Sequence, residues 1–476
     1  MPKIDHPQVY IYSYQLNRES PSQVDSIWNW ANRIWQHFSQ DKSRVFSPAN
    51  LSHPLTKATK FTHSPQIDGS FRFCRLDDET DGILARIGSP ETEENKDLEI
   101  AALTSFNVDN LLVAESPENW LGQTILITYK LETYQKPGKD YFRKIADECL
   151  RHLLPSESVP PPFYHADELF DAPIFEYSSP KSQLQVFVYA IDDEIEGKLG
   201  KIAQPLFELF YHRHKITKAF IDSRRNYVLL KQKYSEIEQT IEKLETKITT
   251  VTEISGSTVN TDDFLRELKV KLKELLRESL NYERALEYLE DYHNTIVIHV
   301  WNYQEKLSII SEKWELETDS LTSFEFFSDR SCRYFQQQIK GDLGYFKHGT
   351  DLIKIAVDLV RGIVEIEQAE NDRAAELMEK ERDRNLQITI AVVGVGIGVA
   401  GVVCSSYPLA VEKPWAPPSF QNPPPLHPFF SAVIISCLCG GILGWVALWA
   451  ARKLFKPSSM QKTLPVSENQ PPSVDV

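Results

Sequence analysis

Three groups of residues carry spacings that belong to known chemistry. Gly396, Gly398 and Gly401 spell GxGxxG after the apolar run Ile388 to Val393, and on a strand-turn-helix unit such glycines bring the backbone close to a pyrophosphate. That use needs a helix after the glycines and a second strand within about 30 residues. Here the chain passes instead into Ser405, Ser406, Tyr407 and Pro408, so no dinucleotide site is expected. Asp77, Glu79 and Asp81 before Gly82 copy the opening of a calcium loop, but the twelfth position, which needs a bidentate glutamate, is Gly88. A polar turn between strands Phe71 to Leu76 and Gly82 to Ile87 is expected, because Asp-Gly favours tight hairpins. His212 and His214 stand two apart, which on a helix sends the imidazoles to different faces, so solvated helix residues are expected rather than a metal pair. The chain has no GxSxG elbow, no GxxxxGK[ST], no HExxH and no kinase signature set. No enzyme class and no cofactor follows, and metal ligands stay unassigned.

A fourth pattern is a face rather than a motif. Gln387, Ala391, Gly394, Gly398, Gly401 and Ser405 recur at four-three spacing, which puts small and polar groups on one side of a helix. Such a stripe either lines a pore or packs tightly against another helix, and packing is the commoner use. Ser436, Gly440, Gly444, Ala447 and Ala451 offer a matching surface. Arg384 extends the stripe, and a ring of guanidinium groups there would repel cations. Cys437 and Cys439, also two apart, read as small lipid-buried side chains.

The elements that must position this stripe are two uncharged runs. Leu386 to Cys404 carries no charge, and ~19 residues at ~1.5 Å each give about 28 Å, near the hydrocarbon thickness of a bilayer. Phe429 to Ala451 is a second such run. Lys380, Arg382 and Arg384 precede the first, and Arg452, Lys453 and Lys456 follow the second, whereas residues 405–428 between them hold Lys413 as their only basic residue. The positive-inside rule then predicts a two-span membrane protein with both termini cytoplasmic. The proline-rich link 405–428 is expected to be a stiff, non-helical extracytoplasmic cap, with Tyr407, Trp415, Phe420, Phe429 and Phe430 in the headgroup layer. Residues 452–476 read as a disordered cytoplasmic tail.

Before the spans, residues 201–385 read as helix. Ile216, Phe220, Tyr227, Leu230, Tyr234, Ile237, Ile241, Leu244, Ile248 and Val251 follow three-four spacing with one slip at Ser223. After a polar stretch, Ser255 to Asp263, the spacing resumes from Leu265 to Ile310, with interruptions at Ser279 and His293. Two such helices joined by a short turn predict an antiparallel coiled-coil hairpin. A third helix from about Arg333 passes Phe346, Ile353, Val357, Val360 and Val364 and can run into the first span as a stalk, although Gly341, Gly344, Gly349 and Gly362 weaken it.

Residues 1–200 form a mixed body, α+β or α/β. Period-two runs at Val9 to Tyr14, Ser70 to Arg75, Gln123 to Lys130 and Leu184 to Ala190 alternate with helices at Val24 to Phe38 and Tyr141 to Leu154. A chain of 476 residues needs more than one core. Its net charge of -15 argues against nucleic acid as a partner. The six cysteines show no disulfide framework or CxxC spacing, which fits a reducing compartment. Met1 to Tyr14 lacks the basic start and apolar run of a signal peptide.

An N-terminal mixed body, a long helical stalk and two C-terminal spans with cytoplasmic ends resemble the CorA magnesium-transporter family over nearly the whole chain. That resemblance implies a homo-oligomer in which the first span lines a pore and the stalk gates it. The family's Gly-Met-Asn motif is absent. The corresponding positions read Cys404, Ser405, Ser406, Tyr407, Pro408, Leu409 and Ala410, so magnesium selectivity transfers to no residue. Ion passage through the spans is the leading expectation. The alternative is a membrane-anchored scaffold or sensor that binds a protein partner through its coiled coil.

Overall fold

The computed structural model describes residues 3–16, 27–77, 79–114, 120–130, 138–154, 160–180, 182–253, 261–314 and 321–410, and seven positions between 434 and 449. It comprises an N-terminal mixed sheet and a long helical region, in two compact units, Met1–Val360 and Arg361–Val476.

The strands are β1 (Lys3–Leu16), β2 (Thr59–Ser64), β3 (Ile67–Asp77), β4 (Thr80–Gly88), β5 (Leu98–Glu99), β6 (Trp120–Lys130), β7 (Phe163–Leu169), β8 (Ala172–Tyr177) and β9 (Leu184–Ala190). The helices of the body are α1 (Ile27–Phe38), α2 (Lys139–Leu153) and α3 (Asp193–Lys201). The sheet order is β2-β3-β4-β1-β6-β9-β8-β7, with β5 on the end of β1. Among the described strands only β6 and β9 pair in parallel, which fits α+β of the two expected classes. The expected β3-β4 hairpin is present, with Phe71 opposite Ala85 and Cys74 opposite Gly82. The calcium-like carboxylates within it point apart: Asp77 accepts from the Tyr211 hydroxyl, and Asp81 from Trp28 Nε1 at 3.3 Å.

The central strands are buried on both faces, so both faces carry apolar residues, with buried Ser13, Gln123, Thr124 and Gln185 hydrogen-bonded among them. Val9, Ile11, Ile125, Ile127, Val186 and Val188 join one core with Trp30, Ile34, Ile145 and Cys149 of α1 and α2. The alternate positions turn to α4 (Ala203–Glu253). Tyr12 meets Phe210 edge-on at 4.9 Å, Tyr14 meets Phe207 at 5.0 Å, and Phe187 meets Phe210 at 5.5 Å. Each such ring contributes roughly 1.5–3 kcal/mol by burial. The turn into α4 is set by α3, where the Asp192 carboxylate accepts from Ile195 N at 2.8 Å, and acids in the first turn and lysines near the end suit the helix dipole.

Helix α5 (Thr261–Trp314) returns along α4. Glu208 pairs with Lys306, Asn226 Nδ2 donates to the Ala285 carbonyl at 2.6 Å, and Lys233 pairs with Glu278. Partner numbers fall as α4 numbers rise, the mark of the expected antiparallel hairpin. The short α6 (Thr322–Phe326) and a π-helical turn, Phe327–Cys332, lead into α7 (Arg333–Ala410). Along α7, partner numbers rise with those of α4: Phe335 stacks on Phe220 at 3.9 Å, Asp342 pairs with Arg224 and Phe346 meets Tyr227 at 5.4 Å. Phe335, Ile339, Asp342, Phe346, Ile353, Ala356 and Val360 are buried at heptad spacing.

The glycines do not break α7. Gly349 lies in the buried row, where a Cβ would stand 2.4 Å from Tyr282 Oη and 2.8 Å from Tyr234 Cδ2, so a close helix approach requires it. Two details differ from expectation. Residues 405–410, expected to start a non-helical link, continue α7 to Ala410, with Pro408 in the last turn, where it has no N–H to give the Cys404 carbonyl. Ile388 to Val393 is helical, which removes the strand a dinucleotide fold would need.

Among the described residues, no helix is long and apolar enough to cross a membrane. On α7 many side chains from Val392 to Ala410 lie outside the described set. Of the run Phe429 to Ala451, the described positions Ile434, Leu438, Gly441, Ile442, Trp445, Val446 and Trp449 are helical and exposed. Most of the link 405–428 and the tail 452–476 lie outside the described residues.

Candidate functional site

One turn of α4, Tyr211 to His214, fastens the helices to the sheet. Side chains on a helix advance about 100° per residue, so four consecutive residues reach four different partners. Tyr211 donates to Asp77 at the end of β3. His212 faces α5, its Nδ1 3.0 Å from Nδ1 of His299. Arg213 pairs with Glu176 of β8. His214 turns to β6, with Nε2 2.8 Å from Thr124 Oγ1. The two histidines do face apart, but His212 and His214 are buried rather than solvated, because α4 runs between the sheet and α5.

Arg213 and Glu176 are each 1% exposed. Burial opposes the Arg213 charge, and the Glu176 carboxylate outweighs it, holding the guanidinium charged more firmly than usual. The guanidinium lies 4.1 Å from the centre of the Phe327 ring, and Glu176 accepts the Ser178 hydroxyl at 2.5 Å. Arg213 Nε and Nη1 and Glu176 Oε2 find no hydrogen-bond partner among the described residues. Taking both charges out of water offsets much of what their attraction gains.

His214 needs a glycine in front of it. Gly122 has φ +152°, and a Cβ there would stand 2.2 Å from His214 Nδ1. Burial pushes His214 down to about 3, with the neighbouring Arg213 charge adding to it. Burial likewise lowers His212 to about 3, assisted by His299, Lys306 and Lys215, and lowers His299 to about 4, assisted by Lys215. All three imidazoles are neutral near pH 7, so of the two facing Nδ1 atoms one donates and the other accepts.

The segment that leads into α7 is fastened to the same sheet. Tyr164 of β7 hydrogen-bonds Ser331, His165 stacks on Phe326 at 3.8 Å, and Phe187 of β9 meets Phe324 at 5.9 Å. Tyr303 of α5 donates to the Phe324 carbonyl at 3.0 Å. Sheet, hairpin and the base of α7 therefore share one buried junction around Arg213.

Glu91, Asp193 and Glu196 converge closely enough to hold a cation. The Lys130 ammonium already stands among them at 2.7, 2.6 and 2.6 Å, and the trio reads as the counter-charge of a lysine that ties β6 to α3.

Of the stripe, Gln387, Ala391, Gly394, Gly398 and Gly401 lie on α7 and are exposed. Nothing stands within 4 Å of a Cβ built at Gly394, Gly398 or Gly401 among the described residues. Ser405 is on the same helix with its side chain outside the described set, and Ser436, Gly440, Gly444, Ala447 and Ala451 lie outside the described residues. Arg213, Glu176 and Lys130 were missed by sequence reasoning. Arg213 had a signal: it occupies the heptad register three residues before Ile216, where an apolar residue belongs. No protein-family model matches the chain, and no curated protein matches it.

Proposed function

We propose that this chain is a homo-oligomeric membrane protein of CorA-like layout, in which the sheet body and coiled coil control ion passage through two C-terminal apolar helices. The observation that carries this reading is the extent of α7: one helix, Arg333–Ala410, holds both the buried coiled-coil row and the uncharged segment Leu386 to Cys404. A shift at the junction around Arg213 has a continuous element to act on. Leu386, Ile390 and Val393 are exposed, as are Ile434, Leu438, Ile442, Trp445 and Trp449, a surface that water disfavours and lipid accepts.

A second row on α7 supports self-association. Tyr334, Gly341, Tyr345, Leu352, Ile355, Leu359 and Ile366 keep heptad spacing beside the buried row, and Tyr334, Tyr345, Ile355, Leu359 and Ile366 are among the exposed large side chains. The test is cation flux in liposomes loaded with the purified protein. Flux of any of Mg²⁺, Co²⁺, Ni²⁺ or Na⁺ is expected, and vesicles tight to all four would overturn ion passage.

The anchor reading is favoured by a different face. Leu276, Leu280, Ile298 and Trp301 of α5 are exposed and share one side of the helix, which suits a protein partner. On that reading, replacing both spans by an unrelated hairpin anchor leaves function intact.

A further inference from the structure

A cleft of about 330 Å³ opens between the sheet and α3, on the face that also carries α4. One row of the sheet runs across it. Lys60 of β2 stands opposite Ser70 of β3, Ser70 opposite Arg86 of β4, Arg86 opposite Tyr10 of β1, and Tyr10 opposite Leu126 of β6. Arg72, two residues along β3 from Ser70, projects from the same face and stands opposite Leu84. The Ser70 hydroxyl is thus bordered by three cationic side chains, all of which line the cleft.

The charges are not equally engaged. Arg86 is held by Asp68 at 2.7 Å and also donates to Gln8. The acid of the opposite wall, Glu196, is held by Lys130 at 2.6 Å. Lys60, Arg72 and the Ser70 hydroxyl make no side-chain hydrogen bond or ion pair among the described residues. Half-buried Arg72 therefore faces the recess with its donors unused, beside an apolar floor of Tyr10, Leu84 and Leu126. A guanidinium fork, an ammonium and a hydroxyl lining one recess match the oxygens of a phosphoryl group, and the floor matches a ring or alkyl body.

We propose that this cleft binds a phosphate monoester carrying an aromatic or apolar body, its phosphoryl oxygens on Arg72, Lys60 and Ser70 and its body over Tyr10 and Leu84. The site lies wholly within the body and stands whether or not the C-terminal helices conduct ions.

The test is calorimetric titration of the purified full-length protein with AMP, inorganic phosphate and adenosine. AMP is expected to bind more tightly than inorganic phosphate, and adenosine to give no binding. Arg72→Ala should weaken AMP by about tenfold or more, the loss of charge-assisted hydrogen bonds. Arg72→Lys should fall between, and Lys144→Ala, exposed on α2 across the sheet, should match the wild type. Thermal midpoints of the ligand-free variants are expected to stay at the wild-type value, because Arg72 makes no internal bond to lose. Absence of AMP binding at millimolar concentration, adenosine binding as tightly as AMP, or unchanged affinity in Arg72→Ala would each overturn the proposal.

Discussion

Arg213 of α4 and Glu176 of β8 form an ion pair with both side chains shut away from water, so each supplies the opposite charge the other needs at that depth. Removing one partner strands a buried charge, at a cost of about 3–5 kcal/mol. Arg213→Ala and Glu176→Ala are each expected to lower the thermal midpoint sharply. The double variant Arg213→Met with Glu176→Leu should recover most of the loss, because two apolar side chains avoid the desolvation. Denaturation of the three variants side by side checks this, and a double variant as weak as the sum of the singles would contradict it.

Stability should fall on the acid side of neutrality. His212, His214 and His299 sit at about 3, 3 and 4 when folded, against an ordinary 6.5. Between those values the unfolded chain binds protons that the folded chain refuses, so unfolding is favoured as pH drops. Their contribution is complete above about pH 6.5 and is lost progressively toward pH 3 to 4. Thermal midpoints measured from pH 7.5 to 4.5 should decline more steeply in the wild type than in His299→Asn.

Glycines on the same framework should respond in opposite directions to alanine. Gly122→Ala drives a methyl into His214 at a positive φ, and Gly349→Ala drives one into Tyr282 and Tyr234. Each is expected to cost about 1–3 kcal/mol. Gly341 on α7 has nothing within 4 Å of its would-be Cβ, so Gly341→Ala should gain up to about 1 kcal/mol from helix propensity. Urea midpoints of the three variants decide it.

The exposed row on α7 should set the oligomeric state. Ile355→Asp with Leu359→Asp places two carboxylates on the outer face while leaving Ile353, Ala356 and Val360 untouched. Light scattering in detergent is expected to show a smaller particle with the helical circular dichroism preserved. An unchanged mass would remove this row from the subunit contact.

Periodic segments were legible in the sequence, and contacts distant along the chain were not. Leu184–Ala190 was read to the residue because Val186 and Val188 alternate with other strand formers. The hairpin of α4 and α5 was legible because its apolar rows repeat over many turns. β1 runs back to Lys3, but Pro7, the positive φ of His6 and an irregular register between Asp5 and Gln8 hide its first half. β2 and β7 are edge strands with mixed polar residues and carry little alternation. At the junction, Glu176 lies 37 residues before Arg213, and no local pattern announces a partner at that distance. Of the small-residue stripe, Gln387, Ala391, Gly394, Gly398 and Gly401 stand exposed on α7.

The most direct test of the central claim is alkaline carbonate extraction of membranes from cells expressing the full-length chain. Two lipid-embedded helices would resist extraction, because a span of roughly 20 apolar residues does not leave the bilayer for water. The protein should stay in the pellet, and a version ending at Asp383 should move to the supernatant. Recovery of the full-length chain in the supernatant would contradict the account.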